Sequence, residues 1–125
     1  MEDRLKCSDL VEGKFKDREK ELQDAKNGVC LDDNGVCIDF YEWLSEFGLG
    51  FYYVEPHTYE DQKDGFYKWQ LSWGGPGDEI RIYNKDRIEY WYLDWFDGAF
   101  IEVPKNSLMY ELSVEALVNF ADIKC

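Results

Sequence analysis

Between Asn27 and Gln62 the sequence has no lysine and no arginine, while eight acids lie in that stretch: Asp32, Asp33, Asp39, Glu42, Glu46, Glu55, Glu60 and Asp61. Long apolar runs are absent too. None approaches the ~20 residues that a membrane-spanning helix needs. The start, MEDRLKCSDL, lacks the basic and apolar regions of a secretory signal, so a cytosolic protein is expected, in the cytoplasm of a host cell. Histidine is nearly missing, His57 being the only one, and the cysteines Cys7, Cys30, Cys37 and Cys125 form no C-x-x-C pair. Structural zinc sites use close-set ligand pairs, so no metal is expected. In a cytosolic chain reduced thiols are the default, and no disulfide is expected.

What is present is aromatic and acidic. The chain has 125 residues, the size of one domain, with 18% aromatic and 33% charged residues. Disorder goes with few aromatics, so a folded core is expected. The net charge is −13, from 27 acids and 14 bases. Residues 1 to 26 are nearly balanced, with eight acids and seven bases, and the excess lies further on. Such a field repels nucleic acid and membrane surfaces and attracts basic ones. Direct binding to DNA or RNA draws on Lys and Arg at phosphates, so it is not expected here. Solubility alone would also account for the charge.

The expected fold class is α+β: one antiparallel sheet of four to five strands with helices on one face, in a single domain spanning 1–125. Ser8 or Asp9 starts a helix over 8–27, with Glu12 placed to reciprocate Asp9. Val11, Phe15, Leu22 and Ala25 form its narrow apolar stripe, and Asn27-Gly28 ends it. Residues 28–47 hold a hairpin and a short helix. The hairpin VCLDDNGVCI centres on Asn34-Gly35, the preferred pair for a type I′ turn. Its Gly-Val-Cys echo at 28–30 and 35–37 is too short for a structural repeat. In the short helix Phe40, Trp43, Leu44 and Phe47 share one face, and Asp39, Glu42 and Glu46 form an acidic stripe beside it. Residues 50–103 read as hairpin-linked strands, and a closing helix over 112–121 is capped by Ser113, with Leu117, Val118 and Phe120 on its apolar side.

The strands alternate. FYKWQLSW separates Trp69, Leu71 and Trp73 from Phe66, Lys68, Gln70 and Ser72. EIRIY separates Ile80 and Ile82 from Glu79, Arg81 and Tyr83. IEYWYLDW separates Trp91, Leu93 and Trp95 from Tyr90 and Tyr92. The Trp, Leu and Ile set is expected under the helices. The open face would then present Gln70, Arg81, Tyr83, Tyr90, Tyr92 and Phe100, and Tyr with Arg is the mixture that anchors protein interfaces. The candidate partner-binding residues are therefore Asp32, Asp33, Asp39, Glu42 and Glu46, together with Tyr83, Tyr90 and Tyr92.

Other chemistries fit less well. An EF-hand loop with Gly35 at position six would place Cys30 at position one and Tyr41 at position twelve, where calcium requires carboxylates. Asp94 and Asp97 could flank a glycosidic bond, but as turn formers they bond nearby backbone. His57 has no nucleophile at a recognisable spacing. The glycines of WGGPGD lack the lysine and helix of a phosphate-binding loop. Neither a catalytic residue nor a cofactor is expected.

The segment QLSWGGPGDEIRIY (70–83) followed by RIEYWYLDWFDGA (87–99) resembles a pattern in small uncharacterised proteins encoded by phages and conjugative elements. In size and charge the chain also resembles the acidic anti-defence proteins of the anti-CRISPR and antirestriction kinds. That resemblance implies a non-enzymatic, stoichiometric inhibitor without a cofactor. Its partner would be a host protein with a basic surface, a nucleic-acid-processing effector such as a defence nuclease. Two alternatives are an immunity protein that neutralises a basic toxin and a small carbohydrate-binding or hydrolytic domain.

Overall fold

The structure, a computed structural model, describes residues 6–73, 76–94 and 97–124, without the side chains of 45, 46 and 119–124. Helix α1 (Cys7–Asn27) is followed by a hairpin of β1 (Cys30–Leu31) and β2 (Cys37–Ile38), then α2 (Phe40–Glu46). Strands β3 (Gly50–Val54), β4 (Phe66–Ser72), β5 (Gly77–Asn84), β6 (Arg87–Asp94) and β7 (Asp97–Glu102) form a five-stranded antiparallel sheet in sequence order, and α3 (Leu108–Lys124) closes the chain. The expected α+β class is observed, with the small hairpin as a separate two-stranded sheet. Among the described residues no helix is long and apolar enough to cross a membrane.

The core lies between the sheet and the helices. Val11, Phe15 and Leu22 of α1 and Leu108, Met109 and Leu112 of α3 bury against Ile80, Ile82, Ile88 and Tyr90. α1 lies over β6 and β7, and α3 reaches β5. Trp69 and Leu71 face the helices as expected, and Phe47 at the end of α2 meets Trp69 edge-on at 6.0 Å.

Strand β6 is the exception to the expected face assignment. Ile82 pairs with Ile88 and Ile80 with Tyr90, while at the turn Asn84 pairs with Arg87. A bulge at Tyr83 separates the two registers. Without it Ile80 would oppose Trp91. With it the whole of β6 turns over, because a one-residue slip exchanges the two faces. Tyr90 and Tyr92 are therefore buried on the helix side, and Trp91 and Leu93 lie on the open face. Trp73, also expected in the core, is 64% exposed just past the end of β4. Trp95 lies outside the described residues.

Two helix starts differ from expectation, and at both a carboxylate distant in sequence accepts from first-turn amides beside a local cap. At α1 neither Ser8 nor Asp9 is the capping residue. Lys6 is, and its N–H donates to Asp9 at 3.0 Å. The next N–H, of Cys7, donates to Asp97 at 2.7 Å, across 90 positions. α3 begins at Leu108, before Ser113, which is fully buried inside the helix. Ser107 Oγ accepts from Tyr110 N–H at 3.1 Å, while the Glu19 carboxylate of α1 accepts from Leu108 and Met109 N–H at 2.7 and 2.9 Å. These bonds satisfy amides that a helix leaves without intrahelical partners.

Candidate functional site

The hairpin, α2 and β3 form one side of the molecule from the segment that has no basic residue. Its turn is not the expected type I′. His57 and Asp61 are the non-glycine residues at positive φ among those described, so Asn34 stays right-handed and Gly35 alone, at φ +80°, takes the left-handed position. That is a type I turn with a following bulge, closed by Gly35 N–H to Asp32 C=O at 3.0 Å. Asp32 Oδ1 selects it by accepting from Asn34 N–H at 2.8 Å and Val36 N–H at 2.9 Å. Cys30 pairs with Ile38 and Cys37 with Leu31, so the two thiols point to opposite faces of the hairpin and cannot bridge without breaking it.

The acids of this side have separable roles. Asp39 is the N-cap of α2, its Oδ1 accepting from Glu42 N–H at 2.9 Å. Asp33, Asp39, Glu42, Glu55, Glu60 and Asp61 are exposed. The Glu46 side chain lies outside the described residues. Four of the five cations of α1 are ion-paired elsewhere, Arg18 with Asp78 and Glu21, Lys16 with Glu12, Lys20 with Asp24 and Lys26 with Glu111, and the fifth, Lys14, lies over the Tyr92 ring. Among the described residues no ion pair reaches Asp32, Asp33, Asp39, Glu55, Glu60 or Asp61.

Exposed apolar side chains that the sequence reading missed stand among these acids. Val29, Leu31, Val36, Tyr41, Leu49, Tyr52 and Tyr53 are all exposed, Tyr41 by 60%. Their neighbourhood includes a cleft of about 480 Å³ between α2, β3 and α3, floored by Phe47, Phe51 and Trp69 and bordered by Tyr41, Leu49 and Glu115. Tyr41 and Leu44, three apart on α2 and so adjacent on its surface, both line it.

The open face of the sheet is a second, different surface. Glu79 is fully buried there, held by Arg81 Nε at 2.7 Å and Lys68 Nζ at 3.3 Å. Arg81 lies 4.0 Å from the Trp91 ring centroid, and Trp91 stacks on Phe100 at 4.6 Å. Tyr59 folds back from the 55–65 loop, accepting from Lys68 Nζ at 2.9 Å and stacking on Phe66. Burial pulls the Lys68 pKa down, but the Tyr59 hydrogen bond and the Glu79 charge outweigh it and raise it overall. Tyr83 is on this face as expected, under the Arg87 guanidinium at 3.7 Å, and burial raises its pKa. Lys68, Glu79, Arg81, Arg87 and Glu89 of this face are paired with one another, which makes its middle a second small core more than an adhesive surface.

Tyr90 and Tyr92 serve the helix side. Tyr90 donates to Asp78 Oδ2 at 2.7 Å. Arg18 Nε and Nη2 donate to the same carboxylate at 2.7 and 3.0 Å, and the Ser72 hydroxyl also donates. Burial pushes the Asp78 pKa up, but these hydrogen bonds outweigh it and hold the carboxyl below its ordinary range. Tyr92 sits under α1 with Lys14 Nζ 5.6 Å from its ring centroid. Of the proposed acid pair, Asp97 is occupied in capping α1.

Comparisons with protein-family models, with curated proteins and with solved structures find no match for the chain.

Proposed function

We propose that the protein is a stoichiometric, non-enzymatic binding protein of the anti-defence kind. It docks its hairpin–α2–β3 side on the basic, nucleic-acid-binding surface of a host nuclease and so competes with the nucleic acid. The observation that carries this reading is the pairing of exposed acids with exposed apolar side chains on one surface, while the cations of α1 are committed elsewhere. Exposed carboxylates give fast, salt-sensitive encounter with a cationic surface, and the apolar and tyrosine side chains among them give residence time.

The test uses a partner captured from host lysate and its own DNA or RNA. About one equivalent of the wild-type chain is expected to release the nucleic acid. The variant Asp33→Asn/Asp39→Asn/Glu42→Gln is expected to bind at least about tenfold more weakly, mostly through the association rate. Asn retains the α2 cap, so the melting temperature should hold. A ternary complex of partner, nucleic acid and this chain would refute the competition, and equal affinity of the variant would refute the acidic contact.

A further inference from the structure

We propose that β3 is an acceptor strand. An extended segment of the partner, alternating apolar residues with Lys or Arg, adds to its outer edge, along which no described strand lies, and places apolar side chains in the adjoining cleft. This inference rests on the acidic-binder reading and specifies how the partner is held.

The edge is the first argument. β3 pairs with β4 in unbroken register from Gly50↔Gln70 to Val54↔Phe66 and stands at the end of the sheet. Natural edge strands are blunted by lysine, proline, bulges or extreme shortness. Gly-Phe-Tyr-Tyr-Val has no charge, no proline and no bulge over its five residues. The opposite edge, β7, carries Asp97 and Glu102 at its two ends, with Pro104 soon after. Tyr52 and Tyr53 are each 41% exposed and project to opposite faces of β3, so an added strand would be flanked by a phenol ring on both sides.

The cleft is the second. Its 480 Å³ falls in the range of pockets that hold small ligands, roughly 300–1,000 Å³, and it opens beside the first half of β3 on the helix side. Gly48 shapes its mouth. At φ +85° it lies so close to β4 that an added Cβ would stand 2.8 Å from the Gln70 carbonyl oxygen. This approach leaves Leu49 52% exposed at the cleft entrance.

Charge names the occupant. A second copy would bring two segments with eight acids and no base face to face, because β3 lies inside the 27–62 run. A strand bearing Lys or Arg would instead meet Glu55 beyond the end of β3 and Glu115 at the cleft border. Main-chain pairing supplies affinity in this mode, and alternate side chains supply the choice of partner.

The probe is a synthetic peptide of about ten residues alternating Lys with Val or Leu, its ends blocked, titrated into the full chain and followed by backbone amide NMR. Expected are saturable binding and the largest shifts in residues 49–54. Affinity should fall at least about tenfold when alternate peptide nitrogens are methylated, since a methylated nitrogen cannot donate to the edge. Leu49→Asp and, separately, Ala116→Phe should each weaken binding by a similar factor with the helical and sheet signals unchanged.

Absence of saturable binding at millimolar peptide overturns the proposal. Equal affinity of the methylated peptide also overturns it. If that binding still weakens between about 50 and 300 mM salt, the acidic-binder reading stands without the added strand. Equal affinity for a Glu-Val peptide, unaffected by salt, overturns the basic occupant and the acidic reading together. A concentration-dependent dimer of the chain alone that Leu49→Asp abolishes makes the occupant a second copy and overturns the proposal.

Discussion

Asp78 shows how much one carboxylate can hold in place. It joins α1, the end of β4 and the middle of β6 through Arg18, Ser72 and Tyr90. Removing its charge leaves the guanidinium without that counter-charge, and one acceptor oxygen fewer for Arg18, Ser72 and Tyr90. A fully buried pair broken on one side costs ~3–5 kcal/mol, and because a quarter of the Arg18 side chain reaches water, Asp78→Asn is expected to cost about 2–3 kcal/mol by urea unfolding. The pH dependence has a definite sign. A carboxyl whose pKa is depressed in the folded state contributes stability above its unfolded pKa, and that stability is lost as pH falls through the folded value. The wild-type chain should therefore lose stability below the ordinary carboxylate range near pH 4, and Asp78→Asn should lose less over the same interval. Parallel curves would show that other groups govern the acid limb. Asp97, held down by the Cys7 N–H, adds to the wild-type slope with the same sign.

Among the elements, α3 depends on a residue it does not contain. Glu19 accepts two of its first amides, so Glu19→Ala should cost about 1–2 kcal/mol, while Glu19→Gln, which keeps one acceptor oxygen, should cost less. Thermal melts of the two variants rank them, and equal losses would assign the effect to packing instead of capping. Dependence of this kind marks where the sequence was legible and where it was not. The three helices, the hairpin and the sheet strands follow from local periodicity and turn residues, which a window of ten residues contains. The start of α3 was missed because its cap is split between Ser107 and a carboxylate 89 positions earlier. The orientation of β6 was missed because both of its faces are aromatic, so alternation alone could not choose, and one bulged residue decided it. That single residue removed Tyr90 and Tyr92 from the candidate surface. The acidic half of the site was legible because a missing residue type can be read directly. Its apolar half, Val29, Leu31, Val36, Tyr41 and Leu49, was not, since exposure depends on what fails to cover a side chain in the assembled molecule.

At the scale of the whole molecule, charge and connectivity divide the chain differently. Seven bases balance the N-terminal helix region almost completely, whereas Asp32, Asp33 and Asp39 form no ion pair with them among the described residues. The caps that tie Cys7 to Asp97 and Glu19 to the start of α3 reach further, each across about ninety positions. They set an order of events in time. The sheet is a meander whose strands each pair with their neighbours in sequence, so its loops close cheaply and early. Helix α1 is made before the sheet, yet its buried stripe and its N-terminal acceptor await β6, β7 and α3, which follow it in the chain. A segment made early is thus among the last to settle, and the fold stays unfinished until α3 has emerged. Substitutions of Val11 or Phe15 should accordingly speed unfolding and leave the folding rate nearly unchanged, whereas Ile80→Val in the meander should slow folding. Slower folding in the α1 variants would reverse that order.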